Sequence, residues 1–111
     1  MWLFTTFGFF SVVQKPGETD LTVRSRVRSD LERLRKQYLS TLGPVVEHGG
    51  TDYQYRAKVS HDALAEAMAK IVKDIDYGNF KDSVSQRQGG TRHDAYAGVW
   101  DVLADKLPEE D

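Results

Sequence analysis

Two segments of this chain alternate apolar and polar residues with a period of two, namely LTVRSRVR at 21–28 and YQYRAKVS at 53–60. Successive side chains of a β-strand point to opposite faces of the sheet, so this pattern predicts two half-buried strands. The residues predicted to face inward are Leu21, Val23, Val27, Tyr53, Tyr55, Ala57 and Val59. Those predicted to face outward are Thr22, Arg24, Arg26, Arg28, Gln54, Arg56 and Lys58. Together the two segments predict a sheet with one apolar face and one cationic face.

A hairpin is predicted at the start of the chain. Residues 9–15 are rich in β-branched and aromatic side chains, and a turn at Pro16 and Gly17 connects them to residues 21–28. Gly8 interrupts the aromatic run before this hairpin. The run therefore begins either as a separate strand or as the first part of one strand that bends at the glycine.

Apolar residues recur at helical spacing after each pair of predicted strands. Ser29 and Glu32 have the spacing of a capping box and predict a first helix, which Gly43 and Pro44 would end. Ser60 is predicted to cap a second helix with a buried apolar stripe. The residues of that stripe are Leu64, Ala67, Met68, Ile71, Val72 and Ile75.

Two more helices are predicted after Gly78. One is a short helix over about ten residues from Asn79, and the other is opened by Thr91 with Asp94 three residues later. The residues that line one side of the last helix are Tyr96, Val99, Trp100, Leu103 and Leu107.

The order of these elements defines a fold class. A right-handed crossover through the first helix places residues 21–28 parallel to residues 44–48, and it leaves room for residues 52–60 between them. The predicted sheet order is 9–15, 21–28, 52–60 and 44–48, with every neighbour antiparallel. We predict an α+β protein with a ferredoxin-like sandwich whose last strand has moved to the front. The alternative is an unrelated α+β arrangement of the same elements.

The length of 111 residues fits a single domain covering residues 1–111. Residues 1–75 are predicted to form the core sandwich and residues 76–111 a helical extension.

The composition narrows the classes of function. A formal net charge of −2 argues against bulk electrostatic attraction to nucleic acid or anionic lipid. Because the chain has no cysteine, thiol catalysis, disulfides and thiolate metal sites are excluded, and a cytoplasmic location is expected. The apolar start, MWLFTTFGFFSVV, lacks the basic region of a signal peptide and is too short to span a bilayer, so no membrane contact is expected.

A basic row on the outward face is the first candidate binding site. Arg24, Arg26, Arg56 and Lys58 lie on adjacent predicted strands, and Phe10 supplies a nearby aromatic ring. Open sheets of related topology bind single-stranded RNA by stacking bases on aromatic rings while basic residues hold the phosphates. A solvated face, on which long side chains shield the sheet, is the simpler interpretation and is preferred.

A loop after the second helix is another candidate site. Tyr77, Asn79 and Lys81 are concentrated there, and loops carry binding chemistry disproportionately. The preferred structural interpretation is that Tyr77 and Phe80 pack back onto the core, while Asn79 satisfies carbonyl groups at a helix end.

The histidines do not form a catalytic or metal-binding pattern. His48, His61 and His93 each have an acidic neighbour, but none of these pairs has the spacing of a helical metal site. Ser60, His61 and Asp62 are consecutive, so their side chains diverge and cannot relay a proton. No metal, cofactor or catalytic residue is predicted.

Several segments carry a resemblance that spans nearly the whole chain. They are GFFSVVQK, LTVRSRVRSDLERL, TDYQYRAKVS, DIDYGNFKDSV and YAGVW. In these segments the chain resembles a family of small uncharacterised bacterial proteins of unknown function. The resemblance implies a bacterial or phage origin and a compact α/β domain, and it implies no activity.

The leading hypothesis for function is a non-enzymatic binding or regulatory domain that acts through a protein–protein surface, because no acid–base pair or nucleophile can be assembled from spacing. The apolar N-terminus and the helix of Trp100 could supply that surface, either to another protein or between two copies of the chain. A ferredoxin-like nucleic-acid-binding protein with a basic sheet face is the first rival. A small-molecule enzyme or sensor is the second.

Overall fold

The computed structural model describes residues 1–107, which fall into two compact units that divide after Asp76. The first unit contains β1 (Trp2–Phe4), β2 (Phe9–Val13), β3 (Leu21–Ser25), α1 (Arg28–Gln37), β4 (Val46–Glu47), β5 (Tyr55–Val59) and α2 (His61–Lys73). The second contains α3 (Phe80–Gln88) and α4 (Gly90–Lys106). The molecule therefore belongs to the α+β class, and its division lies one residue from the predicted boundary between core and extension. That the two units act as one domain stays a prediction.

The five strands form one antiparallel sheet in the order β1-β2-β3-β5-β4. The order of the last four strands is the one predicted from the crossover argument. At Gly8 the chain makes a separate strand rather than one bent strand, because residues 5–8 form a tight turn. In that turn the Thr5 hydroxyl donates to the Gly8 carbonyl at 2.7 Å and accepts from the Gly8 amide at 2.9 Å.

The hydrophobic core of the first unit lies between one face of the sheet and helices α1 and α2. Its buried residues are Phe7, Phe10, Val12, Val23, Leu31, Leu34, Leu39, Leu42, Ala57, Val59, Leu64 and Ala67. Leu31 and Leu34 belong to α1, whereas Leu64 and Ala67 belong to α2. The period-two prediction is confirmed for Val23, Ala57 and Val59, which face this core. We call this side of the sheet the inner face and the opposite side the outer face.

The strand predicted at 21–28 is shorter than expected. The Ser25 hydroxyl donates to the Val27 carbonyl at 2.8 Å and accepts from the Val27 amide at 3.0 Å, so the chain turns directly after Ser25. Val27 is the N-cap of α1 and Arg28 its first residue. The predictions that Arg26 and Arg28 lie on the outward strand face and that Val27 faces inward are therefore wrong.

The predicted capping box is also wrong, since α1 has no side-chain cap and begins one residue before Ser29. The helix ends at Gln37, well before Gly43, and the Arg35 guanidinium donates to the carbonyls of Leu42 and Gly43. This contact ties the following loop to the helix.

The second helix agrees better with its sequence pattern. Ser60 is the N-cap of α2, and its hydroxyl accepts from the Ala63 amide at 3.1 Å. The apolar stripe extends less far than predicted, because Val72 and Ile75 are exposed. Within residues 1–107, none of the helices combines the length and apolar character needed to cross a bilayer.

In the second unit, Asn79 caps the start of α3, where its side-chain oxygen accepts from the Asp82 amide at 2.9 Å. The prediction that Asn79 satisfies carbonyl groups at a helix end is therefore wrong. Gly89, with φ of +90°, connects α3 to α4 and is the N-cap of α4. The predicted cap at Thr91 is therefore wrong, and the positive φ explains why a glycine stands at this turn.

Candidate binding surface on the outer sheet face

The outer face is defined by the register of the five strands. Side chains of paired residues in an antiparallel sheet lie on the same face, and Trp2 pairs with Ser11, which in turn pairs with Arg24. Arg24 pairs with Arg56, and Arg56 with Val46. The outer face therefore carries Trp2, Phe4, Phe9, Ser11, Val13, Thr22, Arg24, Val46, Arg56 and Lys58.

Four aromatic rings form a cluster on one side of this face, and Phe9 is at its centre. The Phe9 ring stacks on Phe4 at 4.5 Å between centroids and meets Trp2 edge-to-face at 5.9 Å. The ring of Tyr53 lies 6.3 Å away on the other side. Trp2 remains 64% exposed. We call Trp2, Phe4, Phe9 and Tyr53 the aromatic cluster.

Phe10 lies on the inner face, so the prediction that it belongs to the outward binding site is wrong. Its exposed fraction is 0%, and its ring packs against Phe7 in the core, so it cannot contact a ligand on the outer face. Phe9 is the aromatic residue that lies there. Both residues are apolar, so hydrophobicity could not separate them. The sequence signal that separates them is Ser11, a polar residue two positions after Phe9. It indicates that Phe9, and not Phe10, lies on the more polar face of the strand.

Tyr53 also departs from its prediction. It precedes β5, and the chain bends before the strand begins, so the alternation of the strand does not extend to this residue. Its ring lies beneath the Arg24 guanidinium, with 4.7 Å from the guanidinium carbon to the ring centroid. The prediction that Tyr53 faces inward is therefore wrong.

Three of the four predicted cations share the outer face, and each has an intramolecular contact. Arg24 donates to the Ser11 hydroxyl at 2.7 Å in addition to covering Tyr53. Arg56 donates through Nε to the Tyr53 carbonyl at 3.2 Å. Lys58 forms an ion pair with Glu18. The fourth cation, Arg26, lies beyond the strand and is exposed in the turn before α1.

The ion pair between Lys58 and Glu18 changes the acidity of the carboxyl group. The Lys58 ammonium donates a hydrogen bond to the carboxylate and attracts it electrostatically, and both effects lower the pKa of Glu18 below its ordinary value of 4.5. Glu18 is consequently ionised at neutral pH. Among residues 1–107, no three acidic or histidine side chains converge as a metal site would require.

The candidate loop site lies in the second unit, where its side chains have structural contacts. Tyr77 packs against Phe80 at 5.9 Å, and Phe80 stacks on Tyr96 at 5.7 Å. The Lys81 ammonium lies 4.7 Å from the Trp100 ring centroid, and Asn79 caps α3. Tyr77 and Asn79 therefore have structural contacts within the second unit, although Asn79 caps the start of a helix and not the end of one.

Comparisons with known protein families, curated proteins and solved structures find nothing that matches this chain.

Proposed function

We propose that this protein is a non-enzymatic binding module and that the aromatic cluster of the outer face contacts a protein partner. The observation that carries this proposal is Trp2, a large aromatic residue that is 64% exposed yet held edge-to-face against Phe9. Trp, Tyr and Arg are the residues that most often dominate binding energy at protein interfaces. The surface brings Trp2, Tyr53 and Arg24 together.

Its geometry favours a protein partner over a single-stranded nucleic acid. Nucleic-acid platforms need free ring faces for stacking, whereas Phe4 and Phe9 stack on each other. The cations are few and already engaged by Ser11, Tyr53 and Glu18. If all three outer cations neutralised phosphates of a single strand, a plot of the logarithm of its affinity against the logarithm of the salt concentration would have a slope of only about −2. That contribution is small for a chain whose net charge is −2.

Three further statements belong to the same proposal. We propose that the sheet with α1 and α2 is a ferredoxin-like sandwich, which the strand order and the placement of both helices on the inner face support. We also propose that the chain belongs to the family of small bacterial proteins that it resembles. A cytoplasmic location is proposed because the sequence contains no cysteine.

A photo-crosslinking experiment tests the proposed surface. A benzophenone amino acid replaces Trp2 in one variant and Asp62, an exposed residue of α2, in a matched control. After irradiation in cells, the variant at position 2 is expected to give discrete protein adducts that the control lacks. An adduct of twice the mass of the chain would identify a second copy as the partner, and any other mass would indicate a different protein.

The same experiment can overturn the proposal. Adducts that are equal at positions 2 and 62 would show that the aromatic cluster is not a contact surface. Adducts that disappear after nuclease treatment would show that the partner is a nucleic acid and not a protein. A second variant, Phe9→Ala, removes the centre of the aromatic cluster and should abolish the specific adduct at position 2.

A further inference from the structure

A depression with a volume of about 360 Å³ lies on the outer face, at the end where β4 pairs with β5. Its polar lining consists of Lys15, Glu18, Thr22, His48, Arg56 and Lys58, while Pro44 and Val46 supply apolar surface. None of these residues belongs to the aromatic cluster. The volume lies near the lower end of the range for small-molecule pockets, roughly 300–1,000 Å³.

Thr22 gives this depression a buried polar group that the fold does not use. The residue is only 2% exposed, and its hydroxyl has no hydrogen-bond partner among residues 1–107. Leaving a buried hydroxyl unpaired is unfavourable, so a ligand that bonds it gains binding free energy. The Oε2 atom of Glu18 is also buried, and it too has no hydrogen-bond partner among the residues that the structure describes. Both residues line the depression, so each of these groups is able to bond a ligand there.

The charges around the depression are unbalanced. Lys15, Arg56 and Lys58 are cationic, whereas Glu18 is the one carboxylate among the lining residues. An anionic group entering the depression is attracted by this surplus of positive charge. The Glu18 carboxylate, in contrast, accepts hydrogen bonds only, so a ligand that satisfies it must also carry a donor.

The ion pair between Lys58 and Glu18 includes the residue that pairs with Thr22 in the sheet. Lys58 pairs with Thr22 in the register of β3 and β5, so its side chain stands next to the Thr22 hydroxyl on the same face. The Lys58 side chain is 61% exposed. Because solvent screens an exposed ion pair, it contributes little to stability, and a ligand anion can replace Glu18 as the partner of Lys58 at little cost.

We propose that this depression binds a small organic anion that also carries a hydroxyl group. Lys15, Arg56 and Lys58 hold the anionic group, while Glu18 accepts from the ligand hydroxyl and the Thr22 hydroxyl forms a second hydrogen bond with the ligand. The proposal does not depend on the partner of the aromatic cluster, because the two sites use different residues.

The test is a titration of the whole chain with small anionic probes. Binding is monitored through the amide signals of Thr22, Arg56 and Lys58 in ¹H–¹⁵N NMR spectra. Malate and glycerol 3-phosphate are the two hydroxylated probes, and they distinguish a carboxylate ligand from a phosphate ligand. Succinate and inorganic phosphate are the matched probes without a hydroxyl. At least one hydroxylated probe should give saturable shifts at these amides and bind about tenfold more tightly than its matched probe.

Variants assign the effect to the proposed groups. Thr22→Val keeps the shape of the side chain and should weaken the hydroxylated probe about tenfold. Thr41→Val, at an exposed threonine outside the depression, should leave the affinity unchanged. Because Thr22→Val removes an unpaired buried hydroxyl, the variant should remain folded in the absence of probe.

Two results would overturn the proposal. One is the absence of shifts at these amides with every probe at millimolar concentration. The other is a Thr22→Val variant that is folded and binds the hydroxylated probe as tightly as the unaltered chain. Phe9→Ala, which removes the centre of the aromatic cluster, should leave probe binding unchanged and so separates this site from the proposed protein surface.

Discussion

The inner and outer faces of the same sheet are built on different principles. Phe10 and Val23 on the inner face are 0% exposed and pack against two helices. On the outer face the hydroxyl residues Ser11 and Thr22 are also buried, at 1% and 2% exposure, but the larger side chains around them include the exposed Trp2. Helices thus cover the inner face, whereas the outer face has small buried polar residues surrounded by aromatic and cationic side chains.

This difference separates stability from recognition. Burial of apolar area drives folding, so the inner face is where substitutions should cost most. The outer face keeps one large aromatic residue and several charged side chains at the surface, where they can contact another molecule.

The sharpest test of the comparison uses two neighbouring residues with the same side chain. Phe10→Ala should reduce the free energy of unfolding by about 3–5 kcal/mol, because it leaves a cavity in the core. Phe9→Ala should cost about 1–2 kcal/mol, because its ring is partly exposed and loses mainly contacts with other aromatic rings. Urea unfolding followed by circular dichroism measures both values. Equal losses would mean that the two faces are not distinct.

The buried carboxylate that fixes the start of β2 should give the next largest effect. Asp30 is 1% exposed, accepts from the Phe9 amide at 3.0 Å and forms an ion pair with Arg33. Asp30→Ala should cost about 2–4 kcal/mol, because it leaves the Phe9 amide and the Arg33 charge without this partner. Glu32→Ala, at an exposed position of the same helix, is the control and should change stability by less than about 0.5 kcal/mol. Similar values for the two variants would contradict the role given to Asp30.

A glycine pair tests how closely the β1–β2 turn approaches α1. A Cβ added at Gly8 would lie 2.8 Å from the Asp30 Cβ, whereas one added at Gly49 meets nothing within 4 Å. Gly8→Ala should therefore destabilise the protein by about 1–3 kcal/mol, because the turn and the helix must separate. Gly49→Ala should be nearly neutral. Thermal unfolding of both variants measures the difference, and a neutral Gly8→Ala would show that the turn is not held against the helix.

The smallest predicted effect concerns the outer face alone. Lys58→Met should raise the pKa of Glu18 toward 4.5, because it removes the hydrogen bond and the charge that lower it. A carboxyl group whose pKa is lowered by folding stabilises the protein at pH values above its ordinary pKa, and this stabilisation is lost as the pH falls. Any difference in stability between Lys58→Met and the unaltered chain should therefore disappear in acid, below the pKa of Glu18 in the folded protein. Carboxyl chemical shifts across the titration measure the pKa. Lys70→Met, at an exposed position of α2, is the control, and identical Glu18 titrations in both variants would contradict the ion pair.

Much of the fold was predictable because it follows from local patterns. The alternation of Val23, Ala57 and Val59 identifies the inner face, and Ser60 marks the start of α2. The crossover rule then gives the order of four strands from the order of elements along the chain. These inferences need no information about distant contacts.

The missed features depend on contacts between residues distant in sequence. Asp30 is buried because it accepts from the Phe9 amide 21 residues away, which no capping pattern reveals. Tyr53 lies on the outer face because the chain bends before β5 begins, so its alternation with Tyr55 is broken. The candidate site therefore could be predicted as a cationic sheet face with an aromatic ring beside it, but the position of Tyr53 in that site could not.

The most direct test of this account is a nuclear Overhauser measurement on the aromatic rings. We expect cross-peaks from the Phe9 ring to Phe4 and Tyr53, and from the Phe10 ring to Phe7, because Phe9 and Phe10 lie on opposite faces of the sheet. Cross-peaks between Phe9 and Phe7, with Phe10 close to Tyr53, would contradict it. In that case the aromatic cluster would not exist as a surface, and the proposed partner contact would have no basis.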